Sequence, residues 1–418
     1  MGDGMVDADN LIVALDVGTS KIIVLIAQIT ADKDLEVVGV GKSPCTGLKR
    51  GMVVDIDETT RAIQTAIKEA ENMANCSVHS AFVGIAGNHI HSRNLQGVVH
   101  IRSGEVTEID MDAVLDNAKT GAILPEQKVL HLVSQEFSVD GQYDIRNPMG
   151  MSGVRLEGHY HLVTCGLSAL QNLEKCVHGA CINIDDIILE PYAAANAVLT
   201  EDEKTLGVCL IDIGAGTTDL AVYTHGALRY TEIVAVGGDH VTNDIAHVLR
   251  TPLQEAEQLK IKQACAQSIS VKREEYINVP STGDRAHRKL ERHVLASIVE
   301  ARYVELFEYI RDQLQHTGLA EYLSAGIVLT GGAARIEGAA ALAESIFGMQ
   351  VRIGVPNLRP EGNGQIVRNP VYATSVGLLM AGRDKVLELR ATQPPRRKTL
   401  VAADGIVQRL RAWLEEHF

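Results

Sequence analysis

Apolar residues in this chain follow two patterns. Runs of branched residues (LIVAL, IIVLIAQI, GVCLI, LAVYT) are separated by stretches in which apolar positions recur every three or four residues. The first pattern predicts buried strands and the second amphipathic helices. In the first half it predicts strands over 11–16, 21–29 and 35–41. A helix over 56–74 follows, with Asp55 or Asp57 as its cap, and then a fourth strand over 80–87. From about Asn88 to His161 the pattern changes to short strand-like pieces, QGVVHI and KVLHLVSQEFSV, around an acidic helix over 110–119. The Gly/Pro-rich stretch RNPMGMSGVRLEG closes this block, which reads as an inserted subdomain. Helix, strand and helix then resume over 167–180, 185–190 and 191–200.

The second half opens on another strand pair and continues to Gly237-Gly238. A mainly helical region is predicted from Asp239 to about Gln315, broken by the turn-rich VPSTGDRAH. A buried strand over 325–330 runs into Gly331-Gly332-Ala333-Ala334, and a small-residue helix is expected over 369–382. Beyond it lie a proline-rich basic linker, TQPPRRK, and the segment GIVQRLRAWLEEHF.

The strand pairs share a motif that occurs twice. Asp16-Val17-Gly18-Thr19-Ser20-Lys21 and Asp212-Ile213-Gly214-Ala215-Gly216-Thr217-Thr218-Asp219 each lie between two branched runs. This is strand, tight turn, strand. The turn glycines let backbone N–H groups approach a phosphate, and the Thr19, Ser20, Thr217 and Thr218 hydroxyls add donors. Asp16 and Asp212, at the strand ends, could each hold a hydrated Mg²⁺. One Asp-Gly turn is common; two that open successive halves suggest a duplicated domain gripping one polyphosphate.

Composition narrows the classes. A chain of 418 residues, 46% hydrophobic, can bury more than one core, and its net charge of −14 argues against nucleic acid as a partner. Aromatic residues, at 4%, offer no stacking platform for single strands. No run is long enough to span a bilayer, no secretory signal opens the chain, and residues 1–10 are expected to be a disordered lead. Seven cysteines without CxxC spacing read as reduced thiols of a cytosolic protein, Cys176 and Cys181 as helix-core thiols. The pairs His89/His91 and His159/His161 have no third ligand beside them and read as solvated strand histidines, not a metal site.

Two Asp-Gly hairpins, the connector Glu190-Pro191-Tyr192-Ala193-Ala194-Ala195 and the strand-ended Thr330-Gly331-Gly332-Ala333 together resemble the actin/Hsp70/sugar-kinase ATPase superfamily over residues 11–385. The resemblance implies an α/β, actin-like ATPase fold, with two ribonuclease-H-like domains flanking a nucleotide cleft, and ATP with Mg²⁺ as ligands. Gly331, Gly332 and Ala333 would pass close to the adenosine, and Gly237 and Gly238 close to the phosphates. Glu257 and Lys260 share a helical face and would clasp ribose and adenine, or form only a surface i,i+3 ion pair. Glu190 would orient a water for in-line attack on the γ-phosphate, or serve only as a helix N-terminal carboxylate before Pro191. Lys21 would reach a β- or γ-oxygen, or snorkel from a strand edge. Asp219 would support the turn.

Within that superfamily the chain resembles the FtsA family of bacterial cell-division proteins. Little separates the third strand from the 56–74 helix, the foreign block follows the fourth strand instead, and the chain closes in a linker and an amphipathic segment. The resemblance implies subdomain IA at 11–87 and 162–202 plus 370–390, an inserted IC at 88–161, IIA at 203–239 and 306–369, IIB at 240–305, a linker at 391–402 and a membrane-targeting helix at 403–418. It also implies a peripheral protein at the division septum, on the inner face of the cytoplasmic membrane, that self-associates into actin-like filaments. Such a protein tethers FtsZ through IIB and recruits later division proteins through IC, with ATP mainly an assembly ligand and hydrolysis slow. Its rivals are an actin-like adaptor of a pilus or secretion machine, a sugar-type kinase, for which no sugar-binding motif is present, and a chaperone, for which no peptide-binding domain follows the core.

The closing segment puts Ile406, Val407, Leu410, Trp413, Leu414 and Phe418 on one helical face. Arg396, Arg397, Lys398, Arg409 and Arg411 form a basic cluster on an acidic protein, which points to anionic lipid; docking on the protein's own core is the alternative. Four or five buried apolar side chains offer roughly 1.5–3 kcal/mol each. Ordering about a dozen residues costs ~1–2 kcal/mol apiece. One tail therefore binds weakly, and a polymer of tails binds tightly.

Overall fold

The computed structural model describes residues 10–281, 286–359 and 363–392. Residues up to Gly382 form one compact unit, and those from Arg383 onward belong to a second. Both predicted hairpins are present, each seeding a five-stranded sheet. In the first sheet the order is Asn183–Leu189, Ser80–Ile85, Leu11–Val17, Lys21–Ile29, Leu35–Pro44. The last three form an antiparallel meander and the first two run parallel beside it. The second sheet repeats the plan, with Ala227–Val234, Thr218–Thr224 and Val208–Ile213 as the meander and Ile327–Thr330 and Val351–Ile353 as the parallel pair. Nearly every residue of the four hairpin strands is buried, which is why they read as continuous apolar runs rather than alternating ones.

The Ile56–Ala74 helix shows how the first layer forms. Asp55 accepts the Glu58 N–H at 2.9 Å as its cap, and Asn75 ends it in the left-handed conformation at φ 51°. Ala62, Ile63, Ala66, Ile67 and Ala70 face the sheet at helical spacing. In the second half the 25-residue helix Arg292–His316 takes the corresponding role, burying Leu295, Val299, Tyr303, Phe307 and Ile310.

The foreign block is a four-stranded sheet in the order Ile90–His100, Arg155–Gly166, Gln127–Val139, Gln142–Ile145, with the Glu108–Lys119 helix packed on it. Its strands are longer than the sequence pieces suggested, and Arg155–Gly166 pairs along its whole length through to Gly166, beyond residue 161. This sheet also meets the edge strand of the second half. The Ser92 hydroxyl donates to Thr231 O (2.8 Å), Gln135 Nε2 to Leu228 O (2.8 Å), and Arg229 pairs with Glu136 (3.1 Å).

Four expectations need correction. The helical region 239–315 contains a small hairpin, Tyr276–Val279 with Arg288–Glu291, around the turn-rich interruption; Arg-Lys-Leu-Glu carries no alternation that would reveal a strand. The small-residue helix begins at Ala373 and continues to Thr392, because Pro370–Tyr372 forms a 3₁₀ turn capped by Asn369. His161 is not solvated: it is buried, with its ring nitrogens bonded to Asn94 Oδ1 (2.7 Å) and Thr231 Oγ1 (2.9 Å), and burial lowers its pKa to about 4. Cys181 lies past its helix and is exposed, whereas Cys176 is buried, and all seven cysteines are free thiols. The residues proposed for lipid, Arg396, Arg397, Lys398 and those from Ile406 to Phe418, lie outside the described residues. No helix among the described residues is long and apolar enough to cross a membrane.

Candidate functional site

The two hairpin turns face one another. A Cβ on Gly216, in the second turn, would lie 2.5 Å from the Thr19 hydroxyl of the first, so only glycine lets the turns approach this closely. Thr19 Oγ1 in turn accepts the Gly51 N–H at 3.1 Å. Between the halves opens a cleft of about 470 Å³, within the size range of small-molecule sites.

Its walls collect most of the residues singled out from sequence. Asp16, Gly18, Thr19, Ser20 and Lys21 line it from the first hairpin; Asp212, Gly214, Ala215, Gly216, Thr217 and Asp219 line it from the second. Glu190, Gly238, Glu257, Lys260, Gly331, Gly332 and Ala333 complete the expected set. Two expected residues are not there. The Thr218 hydroxyl is buried and donates to Val236 O at 2.7 Å, because strand alternation turns it away from its neighbour Thr217. Gly237 is spent inside the fold, where its N–H donates to His240 Nδ1 (3.2 Å). The next two N–H groups, of Gly238 and Asp239, donate to Gly214 O and Ala215 O (2.9 and 2.8 Å). The start of the Gly238–Leu249 helix thus satisfies its orphan donors by bracing the second turn.

Lys260 forms the i,i+3 pair with Glu257, but not at the surface. Its buried ammonium bonds Glu257 (2.7 Å), Thr242 Oγ1 (2.8 Å) and Gly238 O (3.0 Å), so it ties the Leu253–Gln263 helix to the cleft wall. Glu190 is the first residue of the Glu190–Val198 helix and also lines the cleft. Lys21 is directed into the cleft and not along the strand edge. Burial lowers its pKa, while Asp16 and Asp212 act to raise it.

Several contributors were missed. The Ser375 hydroxyl donates to Asp16 Oδ2 (2.9 Å) and the Thr374 hydroxyl to Asp212 Oδ2 (3.1 Å). One turn of the Ala373–Thr392 helix thereby holds both aspartates, one from each half. No local signal could have found this, because the partners lie 162 and 359 residues apart in sequence. Arg335, two residues past Ala333, also lines the cleft and was open to being read from Gly-Gly-Ala-Ala-Arg. Tyr303, from the long helix, donates to Ala333 O at 2.7 Å and so fixes that loop from behind.

Charge dominates the electrostatics. Asp212 and Asp219 are directly paired across the second hairpin, a like-charge arrangement that costs stability unless something intervenes. Burial raises the Asp212 pKa to about 7, with Asp16 adding to the shift. Asp16 is raised by burial, and Glu190 and Asp219 well above the usual range by burial and by neighbouring carboxylates. Asp219 Oδ1 is buried with no hydrogen-bond partner. Four desolvated carboxylates lining one cleft, with one oxygen of Asp219 unpartnered, form a donor set suited to a hard divalent cation. Among the described residues no three His, Cys, Asp or Glu side chains close into a direct ligand set, so such a cation would be held through its hydration shell.

Comparison with known proteins identifies the lineage. Residues 209–377 match the family described as Cell division protein FtsA, and residues 87–164 match an SHS2 domain inserted in FTSA. The Cell division protein FtsA of Pseudomonas aeruginosa is 53% identical over 380 residues, covering 91% of each chain. The chain belongs to the FtsA family. FtsA of Neisseria meningitidis serogroup B is 44% identical (97% and 98% covered), and FtsA of Escherichia coli K12 is 39% identical (98% of each). It is therefore an actin-like cell-division protein, and the foreign block is the insertion characteristic of FtsA. Solved structures agree on the fold. A PilM-PilN type IV pilus biogenesis complex aligns with TM-score 0.66 at 15% identity, covering 89% of this chain and 98% of that one. MreB5 of Spiroplasma citri bound to ADP aligns with TM-score 0.53 at 15% identity, covering 91% and 98%. At such identities these likenesses show shared architecture alone, so the pilus match gives the adaptor reading no support beyond the fold.

Proposed function

We propose that the cleft binds Mg²⁺–ATP and that the bound nucleotide controls assembly of the chain into actin-like filaments. The observation that carries this is the gathering of Asp16, Asp212, Asp219, Glu190 and Lys21 in one cleft between two opposed glycine turns. A bare triphosphate would be repelled by those carboxylates; a divalent cation between them would offset negative charge on both sides. Asp16 and Asp212 hold the hydrated Mg²⁺, kept in place by Ser375 and Thr374. The cation, when bound, supplies charge neutralisation and polarises the phosphate oxygens. Lys21 reaches a β- or γ-oxygen, the turn backbones face the phosphates, and the Lys260–Glu257 pair with Gly331–Ala333 flanks the nucleoside. MreB5, on the same fold, is known bound to ADP and to AMPPNP, which supports the choice of ligand.

Glu190 orients the attacking water. With its aspartate neighbours neutralised, part of what raises its pKa is removed, and the carboxylate becomes available to accept a hydrogen bond from water. In keeping with the family resemblance, turnover is slow and ATP serves first as an assembly ligand.

Around this core the FtsA family membership supports a division of labour. Residues 240–305 take the FtsZ tail, the inserted residues 88–161 recruit later division proteins, and the segment 403–418 holds the filament on the inner face of the cytoplasmic membrane at the septum. The linker 391–402, carrying Arg396, Arg397 and Lys398, adds attraction to anionic lipid. The test is co-sedimentation of the intact chain, and of a chain lacking 403–418, with anionic liposomes, with and without Mg–ATP and FtsZ. The expected result is liposome binding and FtsZ recruitment by the intact chain only, strengthened by Mg–ATP. Equal binding by the truncated chain would refute the tether.

A further inference from the structure

The strand that delivers Glu190 is the outer strand of its sheet. Asn183–Leu189 pairs only with Ser80–Ile85, and its chain turns directly into a helix whose second residue, Pro191, has no N–H to contribute. What fixes this junction comes from the inserted subdomain. The Leu189 N–H donates to Nε2 of His131 at 2.9 Å. The Tyr192 ring lies against the same imidazole, with centroids 5.4 Å apart and planes tilted by 35°. One side chain therefore holds the residue before Glu190 and the residue two after it. Burial lowers the His131 pKa, with Asp186 acting against that shift, which keeps the ring neutral and its Nε2 free to accept.

His131 belongs to the strand Gln127–Val139. Four and five residues on, the same strand carries Gln135, which donates to Leu228 O, and Glu136, which pairs with Arg229 of the second half. One strand of the insertion thus grips the Glu190 junction and the edge strand of the second half. We propose that His131 is a positioning residue for Glu190, through which the state of the inserted subdomain is felt where the terminal phosphate reacts. This rests on the reading of Glu190 as the water-orienting group.

The experiment uses the full chain with saturating Mg–ATP, measuring single-turnover hydrolysis beside nucleotide Kd. His131→Phe keeps a ring against Tyr192 and removes the acceptor; His131→Gln restores an oxygen near the Nε2 position. The expected result is a fall of about tenfold in the hydrolysis rate for His131→Phe, the scale of one hydrogen bond lost in the transition state. Its Kd should stay within about twofold, and His131→Gln should recover most of the rate. Tyr192→Leu, which loosens the clasp from its other side, should give the same rate-only loss and serves if His131→Phe does not fold. Glu190→Gln separates the two readings. If Glu190→Gln hydrolyses at the intact rate, or the intact chain binds ATP without hydrolysing it, the Glu190 reading fails and takes this inference with it. If Glu190→Gln is slow but His131→Phe and Tyr192→Leu are not, or if rate and nucleotide affinity fall together, only the positioning role of His131 is overturned.

Discussion

The two halves of the molecule share one sheet plan and differ in what they do with it. Both build a hairpin meander with two parallel strands beside it, and both carry an aspartate, Asp16 or Asp212, as the penultimate residue of the strand that enters the turn. In the first half a lysine follows the turn; in the second, Asp219 stands across the ladder from Asp212. The grafts differ as well. Only a two-residue-strand hairpin, Leu48–Lys49 with Met52–Val53, separates meander from helix in the first half. In the second half the helices Gly238–Leu249 and Leu253–Gln263 and the Tyr276–Val279 hairpin occupy that place. The first half puts its extra mass after the fourth strand instead. The repeated sheet plan accounts for the clamp, and the differences set its jaws apart: the paired Asp212 and Asp219 on one, Asp16, Lys21 and Glu190 on the other.

The largest expected effect tests that asymmetry. Asp212→Asn should weaken Mg–nucleotide binding by at least about a hundredfold, roughly 2.7 kcal/mol, measured by calorimetry. Asp16→Asn, on the jaw that has Lys21, should cost less; equal losses would mean the jaws are equivalent. Next comes Gly331, which has φ 90° and whose added Cβ would strike the Asp212 carboxylate. Gly331→Ala should destabilise the fold by about 1–3 kcal/mol, read in a denaturant titration, and reduce nucleotide affinity in parallel.

A pH experiment sharpens the electrostatic side. Asp212 has a pKa near 7 when folded, against 3.8 as its ordinary value. Between those values the folded chain keeps a proton that the unfolded chain has released. Stability contributed by this group is therefore present in acid, lost as pH rises from about 4 to about 7, and flat beyond. Thermal melts of the ligand-free chain should show that decline, and Asp212→Asn should reduce it and melt higher at pH 7. A decline of unchanged size in Asp212→Asn would assign it to other groups. The smallest effect belongs to the bridge between insertion and second half: Arg229→Ala removes a part-buried pair with Glu136 and should cost about 1 kcal/mol or less.

Legibility followed range. The hairpins, the Ile56–Ala74 helix and the turn glycines were open to the sequence because branched runs and glycine turns act over a few neighbouring residues. The hairpin at Arg288–Glu291 was not, since an exposed charged strand has no periodic signature. Thr218 misled because its type suits a phosphate turn, while its face is set by strand alternation. His161 misled because a His-x-His pair looks solvated until another sheet edge covers it.

By itself the sequence determined that two Asp-Gly hairpins open two halves of one architecture, because buried strands and tight turns impose local constraints on residue type. Tertiary structure alone decided which groups meet: that Thr374 and Ser375 hold the two aspartates, that Lys260 is sequestered, and that His131 reaches the strand before Glu190. Those encounters join residues that lie from 18 to 359 positions apart in sequence. Burial, which strips water from the four carboxylates and raises their pKa values, is likewise a product of the assembled fold and not of either turn alone.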